Sequence, residues 1–246
     1  MPGTCLAPLR HVAGTTDIAA GLAGVRERVA RAADRAHRDA ATIRLVAVSK
    51  TFGPEHVRAA AAAGQVDFGE NKVQEALQKI DATSDLSLRW HLVGHLQTNK
   101  ARKAAASFNF IHSVDSPPLL TRIDEAATEA GRAVDVLIQV DLAGEATKHG
   151  APESDLKQVF DTAATCRSAR VVGLMLLPPA AANPDEARPY FRALRALRDR
   201  LLGEGVAAPM LAELSMGMSH DFEVAVEEGA TLVRVGTAIF GERSYV

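Results

Sequence analysis

The stretch RLVAVSK, residues 44–50, decides the fold of this chain. Its residues from Leu45 to Ser49 are apolar or small and include two valines, which is typical of a strand buried on both faces. Lys50 follows at once, where that strand is expected to end. One interpretation is a lysine whose ammonium group simply reaches solvent past the strand. The other is a lysine kept partly out of water so that it can form an imine with a carbonyl group, which requires a pocket at this end of the strand.

Working outward from this stretch, strand-like and helix-like segments alternate along the chain. Strands are predicted at residues 44–49, 66–69, 89–94, 110–114, 134–140, 171–177, 212–216 and 231–236. Helices are predicted to begin near Pro54, Lys72, Asn99, Pro117, Pro152, Asp185 and His220, and an amphipathic helix from residue 17 to about 38 precedes the first strand. Eight strands separated by seven helices predict an α/β fold, a single (β/α)8 TIM barrel with an additional N-terminal helix. A doubly wound sheet is the alternative, but no GxGxxG motif follows a strand.

Length and composition suit one domain. The 246 residues match the usual size of one barrel, so we expect a single domain over residues 1–246, with residues 1–15 as a flexible leader. A net charge of −2 argues against nucleic acid as the main partner. Cys5 and Cys166 lie far apart without metal-ligating neighbours, which is typical of a reducing compartment. No apolar run approaches the length of a bilayer span, so we expect a cytoplasmic protein without a membrane partner.

In a barrel of this kind the functional groups lie on the loops that follow the strands. The residues at those positions are Lys50, Glu70, Asn71, His95, Asp115, Asp141 and Pro178, followed by the stretches LSMGMSHD (214–221) and RVGTAIFG (234–241). The loops after strands 7 and 8 form the phosphate site in many barrels. Each loop offers flexible backbone and one hydroxyl, at Gly217, Met218 and Ser219 in the first loop and at Gly236 and Thr237 in the second. They predict a phosphate cradle of backbone N–H groups at two helix starts, although a Ser or Thr there can equally be an ordinary helix cap.

Arg234 lies within the last predicted strand. Strand alternation puts Leu232, Arg234 and Gly236 on one face and two valines on the other, so we expect Arg234 to point into the barrel. A guanidinium group in the interior needs an acceptor. Either an internal carboxylate, such as Asp141 or Glu70, or a ligand atom could supply it.

The histidines give less evidence about function than Lys50 and Arg234 do. His91 and His95 are four residues apart on a strand with no third ligand nearby, so the sequence does not predict a metal site. His112, within a strand, is interpreted as a hydrogen-bonded core residue. His149 and His220 lie in loops and are candidates for lining the mouth of the barrel.

An amine able to form an imine, a phosphate cradle and an inward arginine together describe a site for a phosphorylated aldehyde cofactor. Seven motifs then occur in order along the chain. They are VAVSKTF (46–52), FGENKVQE (68–75), WHLVGHLQTNK (90–100), IHSVDS (111–116), GLM (173–175), LSMGMS (214–219) and VRVGTAIFG (233–241). With these motifs the chain resembles the pyridoxal-phosphate homeostasis proteins, which are single-domain barrels similar to the N-terminal domain of alanine racemase.

The resemblance implies a role for each matching residue. Lys50 would be the Schiff-base lysine for pyridoxal 5′-phosphate, and Asn71 would lie beside the cofactor ring. The phosphate would be held by Ser219, Gly236, Thr237 and the backbone near Met218, while Arg234 would face the pyridine nitrogen. The chain departs from the family pattern at Leu176, where a small or polar residue is expected after GLM, so the wall of the pocket on strand 6 is left open.

The resemblance also implies a function: a monomer that binds pyridoxal phosphate reversibly and buffers it, or delivers it to apo forms of pyridoxal-phosphate enzymes. The alternatives are an amino-acid racemase or decarboxylase that uses the same imine, and a sugar-phosphate aldolase or isomerase. We expect no amino-acid turnover, because an arginine at the ring nitrogen leaves a weak electron sink. Alanine racemase has such an arginine but adds a second domain and a tyrosine base from its partner subunit. Tyr190, on an outer helix, and Tyr245, near the end of the sequence, are poor substitutes for that base.

Overall fold

Eight parallel strands pair in chain order and the eighth pairs with the first, so that they close into a barrel. This architecture comes from a computed structural model, which describes residues 17–143 and 149–242. The strands are β1 (Arg44–Val48), β2 (Asp67–Glu70), β3 (Arg89–Leu92), β4 (Phe110–Val114), β5 (Val134–Gln139), β6 (Ala169–Met175), β7 (Glu213–Ser215) and β8 (Leu232–Val235). The predicted TIM barrel is confirmed, and every predicted strand is present. The predicted leader, residues 1–15, lies outside the described residues.

Helices cover the outside of the barrel. They are α1 (Ile18–Arg35), α2 (Pro54–Ala62), α3 (Val73–Ala82), α4 (Ala101–Ser107), α5 (Pro117–Glu129), α6 (Leu156–Ala163), α7 (Arg188–Gly203), α8 (Phe222–Glu227) and α9 (Thr237–Phe240). Short 3-10 turns precede α4, α6 and α7, which is why these helices begin a few residues later than the sequence predicts. Among the described residues, none of these helices is both long enough and apolar enough to span a bilayer.

The additional N-terminal helix is present and packs against α8 and α9. Its buried face carries Leu22, Val25 and Val29 at helical spacing. The helix ends before the predicted limit at residue 38 because His37 takes a left-handed backbone conformation with φ 53°. Arg38 then donates to the carbonyl group of Val226 in α8 and to that of Ala230, which lies between α8 and β8.

The barrel separates two apolar clusters. The smaller one fills the interior and contains Val46, Phe110, Leu137, Met175 and Leu232. The larger one lies between the strands and the outer helices. Strand alternation in β1 assigns Val46 to the interior and Ala47 to the outer cluster, as expected for a strand with two buried faces.

Ion pairs between neighbouring strands lie at the amino-terminal end of the barrel. Arg89 contacts Asp67 at 2.6 Å and Arg170 contacts Asp135 at 2.7 Å, in each case between neighbouring strands. These charges lie at the end of the barrel opposite the loops that carry function in such folds.

Candidate functional site

A cavity of about 560 Å³ opens at the carboxyl ends of the strands. All seven residues that the sequence singles out as cofactor-binding line it: Lys50, Asn71, Met218, Ser219, Arg234, Gly236 and Thr237. Because they come from β1, β2, β7 and β8, only closure of the barrel brings them together. The cavity therefore lies where the strand-end argument predicts it.

The lining of the cavity also includes residues that the sequence analysis missed. Phe52, Val93, Gln139 and Leu177 contribute to the wall. Gln139 was detectable, because it alternates with Leu137 in β5 and must share the interior face. Phe52 lies two residues after Lys50 in the same turn. No local signal distinguishes Val93 or Leu177 from ordinary core residues.

Lys50 lies at the start of a tight turn directly after β1. The N–H of Phe52 donates to the carbonyl oxygen of Ser49 at 3.1 Å, which places Lys50 and Thr51 in the two central positions. Thr51 has φ 72°, in the left-handed region that β-branched residues rarely occupy. The N–H of Thr51 donates to Oε1 of Glu75 at 2.6 Å.

Glu70 is not part of the cavity lining, although the sequence places it at the end of β2. It is fully buried beneath the turn, where its Oε1 accepts from Ser49 Oγ at 2.6 Å and from Lys79 Nζ at 2.7 Å. Burial raises the pKa of Glu70, while hydrogen bonds from Lys79 and Ser49 oppose that rise. Its other carboxylate oxygen has no hydrogen-bond partner among the described residues.

Arg234 points into the barrel as predicted, but neither suggested carboxylate is its acceptor. Its Nη1 donates to Ser215 Oγ at 2.6 Å and its Nη2 donates to the carbonyl oxygen of Leu176 at 2.9 Å. Glu70 is already engaged by Lys79, and Asp141 follows β5. Arg234 instead meets groups from the two strands on that side of β8: Ser215 is on β7, which pairs with β8, and Leu176 directly follows β6, which pairs with β7.

Ser215 begins a line of buried polar groups across the interior. His112 Nδ1 lies 2.8 Å from Ser215 Oγ, and His112 Nε2 lies 2.9 Å from His91 Nδ1. His91 Nε2 lies 2.9 Å from Asp67 Oδ1 at the opposite end of the barrel. The predicted role of His112 as a hydrogen-bonded core residue is confirmed.

The two ends of this line restrict the proton positions in it. The carboxylate of Asp67 can only accept, so His91 Nε2 carries a proton. The lowered pKa values of His91 and His112 indicate neutral imidazoles, so His91 Nδ1 accepts from His112 Nε2, and His112 Nδ1 is an acceptor. Arg234 can only donate, so the Ser215 hydroxyl accepts from it and donates in turn to His112 Nδ1.

Burial and hydrogen bonds account for the pKa shifts along this line. Burial lowers the pKa of His112 well below its usual range, and burial lowers the pKa of His91 despite the neighbouring Asp67. Burial would raise the pKa of Asp67, but hydrogen bonds from His91 and Arg89 outweigh it and the pKa is lowered. Burial lowers the pKa of Arg234 to about 10, which leaves the guanidinium charged at neutral pH.

The loops after β7 and β8 approach each other as the phosphate prediction requires. Ser219 Oγ accepts from the N–H of Gly236 at 3.1 Å, so the hydroxyl lies at the start of α9. A Cβ atom at Gly236 would lie 3.0 Å from the carbonyl oxygen of Val48, and Gly217 has φ 91°. Both glycines therefore permit a backbone path that a side chain would obstruct.

One part of the phosphate cradle differs from the prediction. The backbone N–H of Met218 donates to Oδ1 of Asp221 at 2.6 Å, so this group is already engaged and is not open to a ligand. Asp221 is the cap of α8, and its carboxylate reaches back over the loop. The Asp221 carboxylate therefore accepts from the loop and makes no capping hydrogen bond to α8. At the start of α9 the N–H of Gly236 also has an acceptor within the chain, the Oγ atom of Ser219.

The wall of the cavity on strand 6 is formed by Leu177. Leu176, the departure from the family pattern, is 1% exposed and turns its side chain into the outer apolar cluster. Only its backbone serves the interior, through the carbonyl group that accepts from Arg234. The side chain of Leu176 therefore does not alter the cavity.

The mouth of the cavity carries three histidines, as the sequence suggested for His149 and His220. The rings of His95 and His149 are stacked, with centroids 3.5 Å apart and an angle of 10° between planes. Together with Asp115 they bring three potential metal ligands within 4.8 Å of one another. A metal ion lies in the plane of each imidazole that binds it, and two parallel stacked rings cannot both meet that condition. This arrangement therefore favours ring packing over metal binding.

Comparisons with known proteins agree with this geometry. The family described as alanine racemase, N-terminal domain, matches residues 22–244. The pyridoxal phosphate homeostasis protein of Aquifex aeolicus is 47% identical over 225 residues, covering 91% of this chain and 97% of that protein. The protein of the same name from Pseudomonas aeruginosa is 42% identical over 229 residues, covering 93% and 96%.

Solved structures show the same relationship. PipY of Synechococcus elongatus PCC7942, with PLP bound, superimposes with a TM-score of 0.81 at 40% identity, covering 91% of this chain and 100% of that one. Alanine racemase of Corynebacterium glutamicum, at 20% identity and a TM-score of 0.69, shares the fold. The chain therefore belongs to the alanine racemase N-terminal domain family and, within it, to the group of the pyridoxal phosphate homeostasis proteins.

Proposed function

We propose that this protein binds pyridoxal 5′-phosphate in the cavity at the carboxyl ends of the strands and takes part in the intracellular homeostasis of that cofactor. It holds the cofactor reversibly on Lys50 and does not turn over amino acids. The observation that carries the proposal is the meeting of an amine, two small-residue loops and a buried arginine in one cavity. Relatives of this name and a relative with PLP bound support it.

The residues fit the cofactor part by part. Lys50 would supply the amine that holds the aldehyde group of the cofactor. The N–H groups at the start of α9, with the hydroxyls of Ser219 and Thr237, suit a phosphate dianion. Asn71 would pack beside the ring, and Arg234 would meet its nitrogen.

The hydrogen bonds of Arg234 support binding without catalysis. When bound, this cofactor serves amino-acid chemistry as an electron sink, which works best when its ring nitrogen is protonated. Arg234 donates and cannot accept, so it favours an unprotonated nitrogen. Its anchoring to Ser215 and Leu176 keeps it in that orientation. Tyr190, considered above as a substitute base, lies on the outer helix α7 and does not line the cavity.

We also propose that the chain acts as a single-domain monomer in the cytoplasm and passes the cofactor to apo forms of pyridoxal-phosphate enzymes. The support is that every residue assigned to the cofactor comes from the one barrel. Light scattering of the purified protein measures its oligomeric state. Recovery of activity by an added apo-enzyme measures transfer of the cofactor. If the apo-enzyme recovered equally fast with free cofactor as with the loaded protein, the result would argue against delivery.

Borohydride trapping tests the site directly. The loaded protein is expected to show a visible absorbance band, and reduction followed by peptide mass spectrometry is expected to place the cofactor on Lys50. Lys50→Ala should abolish trapping without unfolding the protein, whereas Lys103→Ala, at an exposed position on α4, should leave it unchanged. Trapping that persists in Lys50→Ala would show that another lysine binds the cofactor.

Proton NMR in heavy water tests the absence of turnover. With L-alanine and other L-amino acids, the loaded protein should exchange the α-proton slowly, since the cavity offers a weak electron sink. Rapid exchange that disappears in Lys50→Ala would instead favour a racemase-like or decarboxylase-like enzyme.

A further inference from the structure

We infer that Glu75 and Lys79 on α3 are positioning residues for Lys50: they hold the turn after β1 in the conformation that directs Lys50 into the cavity. The inference rests on the proposed role of Lys50. Neither Glu75 nor Lys79 lines the cavity, so they would act only through the turn.

The turn needs an external constraint. Thr51 occupies its third position with φ 72°, where glycine or asparagine is usual. For a β-branched residue the left-handed conformation is disfavoured by about tenfold or more relative to the ordinary regions. An unrestrained chain would therefore relax to negative φ at Thr51. That relaxation would turn over the peptide group between Lys50 and Thr51, and so change ψ at Lys50, the residue whose side chain lines the cavity.

Glu75 supplies the constraint on one side of Lys50. Its Oε1 accepts the N–H of Thr51 at 2.6 Å and the ammonium of Lys79 at 2.9 Å. Burial would raise the pKa of Glu75, but the hydrogen bonds from Lys79 and from the Thr51 backbone lower it, so the acceptor stays ionised at neutral pH. A carboxylate acceptor makes this a charge-assisted bond, stronger than one between neutral groups.

Lys79 ties the other side of Lys50 to the same point. Its ammonium donates to the carbonyl oxygen of Ser49 at 2.8 Å and to Oε1 of Glu70 at 2.7 Å. The hydroxyl of Ser49 also donates to that oxygen of Glu70. The carbonyl group of Ser49 thus contacts the Lys79 ammonium directly, and the N–H of Thr51 is linked to it through Glu75 Oε1.

This arrangement is more than stability alone requires. The side chain of Lys79 is 5% exposed and that of Glu70 is fully buried. A buried ion pair often contributes no more stability than apolar residues of similar size would. Apolar residues could not, however, provide the Lys79 ammonium, which holds the ionised Oε1 of Glu75 beside the N–H of Thr51. The geometry therefore points to orientation of the turn as the contribution of Glu75 and Lys79.

The test is a cycle of Glu75→Ala and Thr51→Gly. Glu75 is only half-buried, so its truncation should leave the protein folded. We expect Glu75→Ala to weaken covalent loading of Lys50 by pyridoxal phosphate about five- to tenfold, as the visible band and borohydride trapping measure it. Glycine tolerates positive φ, so Thr51→Gly/Glu75→Ala should load within about twofold of Thr51→Gly alone. Glu75→Gln, which keeps a neutral acceptor, should fall between Glu75→Ala and the natural protein.

A second measurement needs no cofactor. The amide proton of Thr51 should exchange slowly with solvent in the free protein and quickly in Glu75→Ala, as NMR in heavy water would show. Asp81→Ala removes an exposed carboxylate from the same helix and should change neither loading nor exchange.

Two results would overturn the inference: loading of Glu75→Ala equal to that of the natural protein, or a double variant as impaired as Glu75→Ala alone. The second result would mean that Glu75 has a structural role unrelated to the turn. Failure of the natural protein to load Lys50 would instead count against the proposed function, and the exchange of the Thr51 amide would still decide whether Glu75 constrains the turn.

Discussion

Five polar side chains form one line of hydrogen bonds through the barrel, from Arg234 below the cavity to Asp67 at the other end. Each link joins one donor to one acceptor, so removing any member leaves a buried partner unpaired at a cost of about 1–3 kcal/mol. The cation lies at the cavity and the anion at the far end, with neutral imidazoles between them. The line therefore orients Arg234 without placing a carboxylate beside the cavity.

The two buried histidines predict that stability falls as the pH falls below neutral. Burial lowers the pKa of both His91 and His112 in the folded protein, whereas the unfolded chain takes up protons near pH 6.5. Below about pH 6.5 the unfolded state binds more protons, so the free energy of unfolding should fall by up to about 1.4 kcal/mol per pH unit for each histidine. Urea unfolding between about pH 7.5 and about pH 5.5 measures the slope.

An exposed histidine provides the control for that slope. His37→Asn changes a residue with φ 53° to one that tolerates this conformation, and it should leave the pH slope unchanged. His112→Gln should reduce the pH slope of the free energy of unfolding by about the contribution of one histidine. A stability that stays constant across this range would contradict the assignment of neutral, buried imidazoles.

Ser219 carries a prediction about ligand ranking. Pyridoxal phosphate should bind far more tightly than pyridoxal, because only the phosphate can contact the loops after β7 and β8. Ser219→Ala should weaken pyridoxal phosphate binding by about 1–2 kcal/mol, the usual size for one hydrogen bond to a charged group, and should affect pyridoxal little. Titration calorimetry with both compounds measures the difference, with the exposed Ser84→Ala as control. Equal affinity for the two compounds would show that these loops do not hold the phosphate.

At the scale of the elements, the junction of β5, β6 and β7 sets the position of the carbonyl group that holds Arg234. The pairing of β5 with β6 shifts by one residue between Val136 and Leu137, which leaves Val172 without a direct partner. The shift falls next to Gly173, in the GLM stretch. A Cβ atom at Gly173 would lie 1.9 Å from the carbonyl oxygen of Glu213 on β7. Only glycine therefore allows β6 and β7 to approach this closely.

Gly173→Ala should consequently destabilise the protein by about 3 kcal/mol, because backbone must move to admit the methyl group. Gly24→Ala is a control of opposite sign, since a Cβ atom at Gly24 has nothing within 4 Å and the residue lies within α1. Alanine there should stabilise the helix by about 0.5–1 kcal/mol. Chemical denaturation of both variants measures the pair, and a Gly173→Ala variant as stable as the natural protein would contradict the close approach of the strands.

At the scale of the whole molecule, the two ends of the barrel differ in kind. The amino-terminal end carries ion pairs between the strands, such as Arg89 with Asp67. The carboxyl-terminal end is open to a cavity whose assigned polar groups come from four different strands and their loops. A ligand that bridges these loops should therefore stabilise the barrel as a whole.

Pyridoxal phosphate at about 100 times its dissociation constant should add about 2.7 kcal/mol to the free energy of unfolding. For a chain of this size that corresponds to a rise in melting temperature of about 5–10 °C. Differential scanning calorimetry with and without the cofactor measures the shift, which should be much smaller for Lys50→Ala or for pyridoxal. An equal shift in Lys50→Ala would mean that the covalent bond contributes little to binding.

The sequence by itself determined the barrel and the place of the candidate site residues at its rim. Strand periodicity is a local property, since alternate side chains point to opposite faces whatever lies beside them. It correctly placed Lys50 at a strand end and directed Arg234 inward. Because parallel strands of a barrel deliver their carboxyl ends to the same rim, residues distant in the chain were expected to meet there, and the cavity brings them together.

Only the tertiary structure decided which groups contact one another. The acceptors of Arg234 depend on which strand lies beside β8 and in which register, and no local pattern contains that information. The burial of Glu70, the outward turn of Leu176 and the capture of the Met218 amide by Asp221 depend in the same way on neighbours from other segments. The physical reason is range: side-chain direction follows from the adjacent backbone, whereas hydrogen-bond partners follow from the closure of the whole barrel.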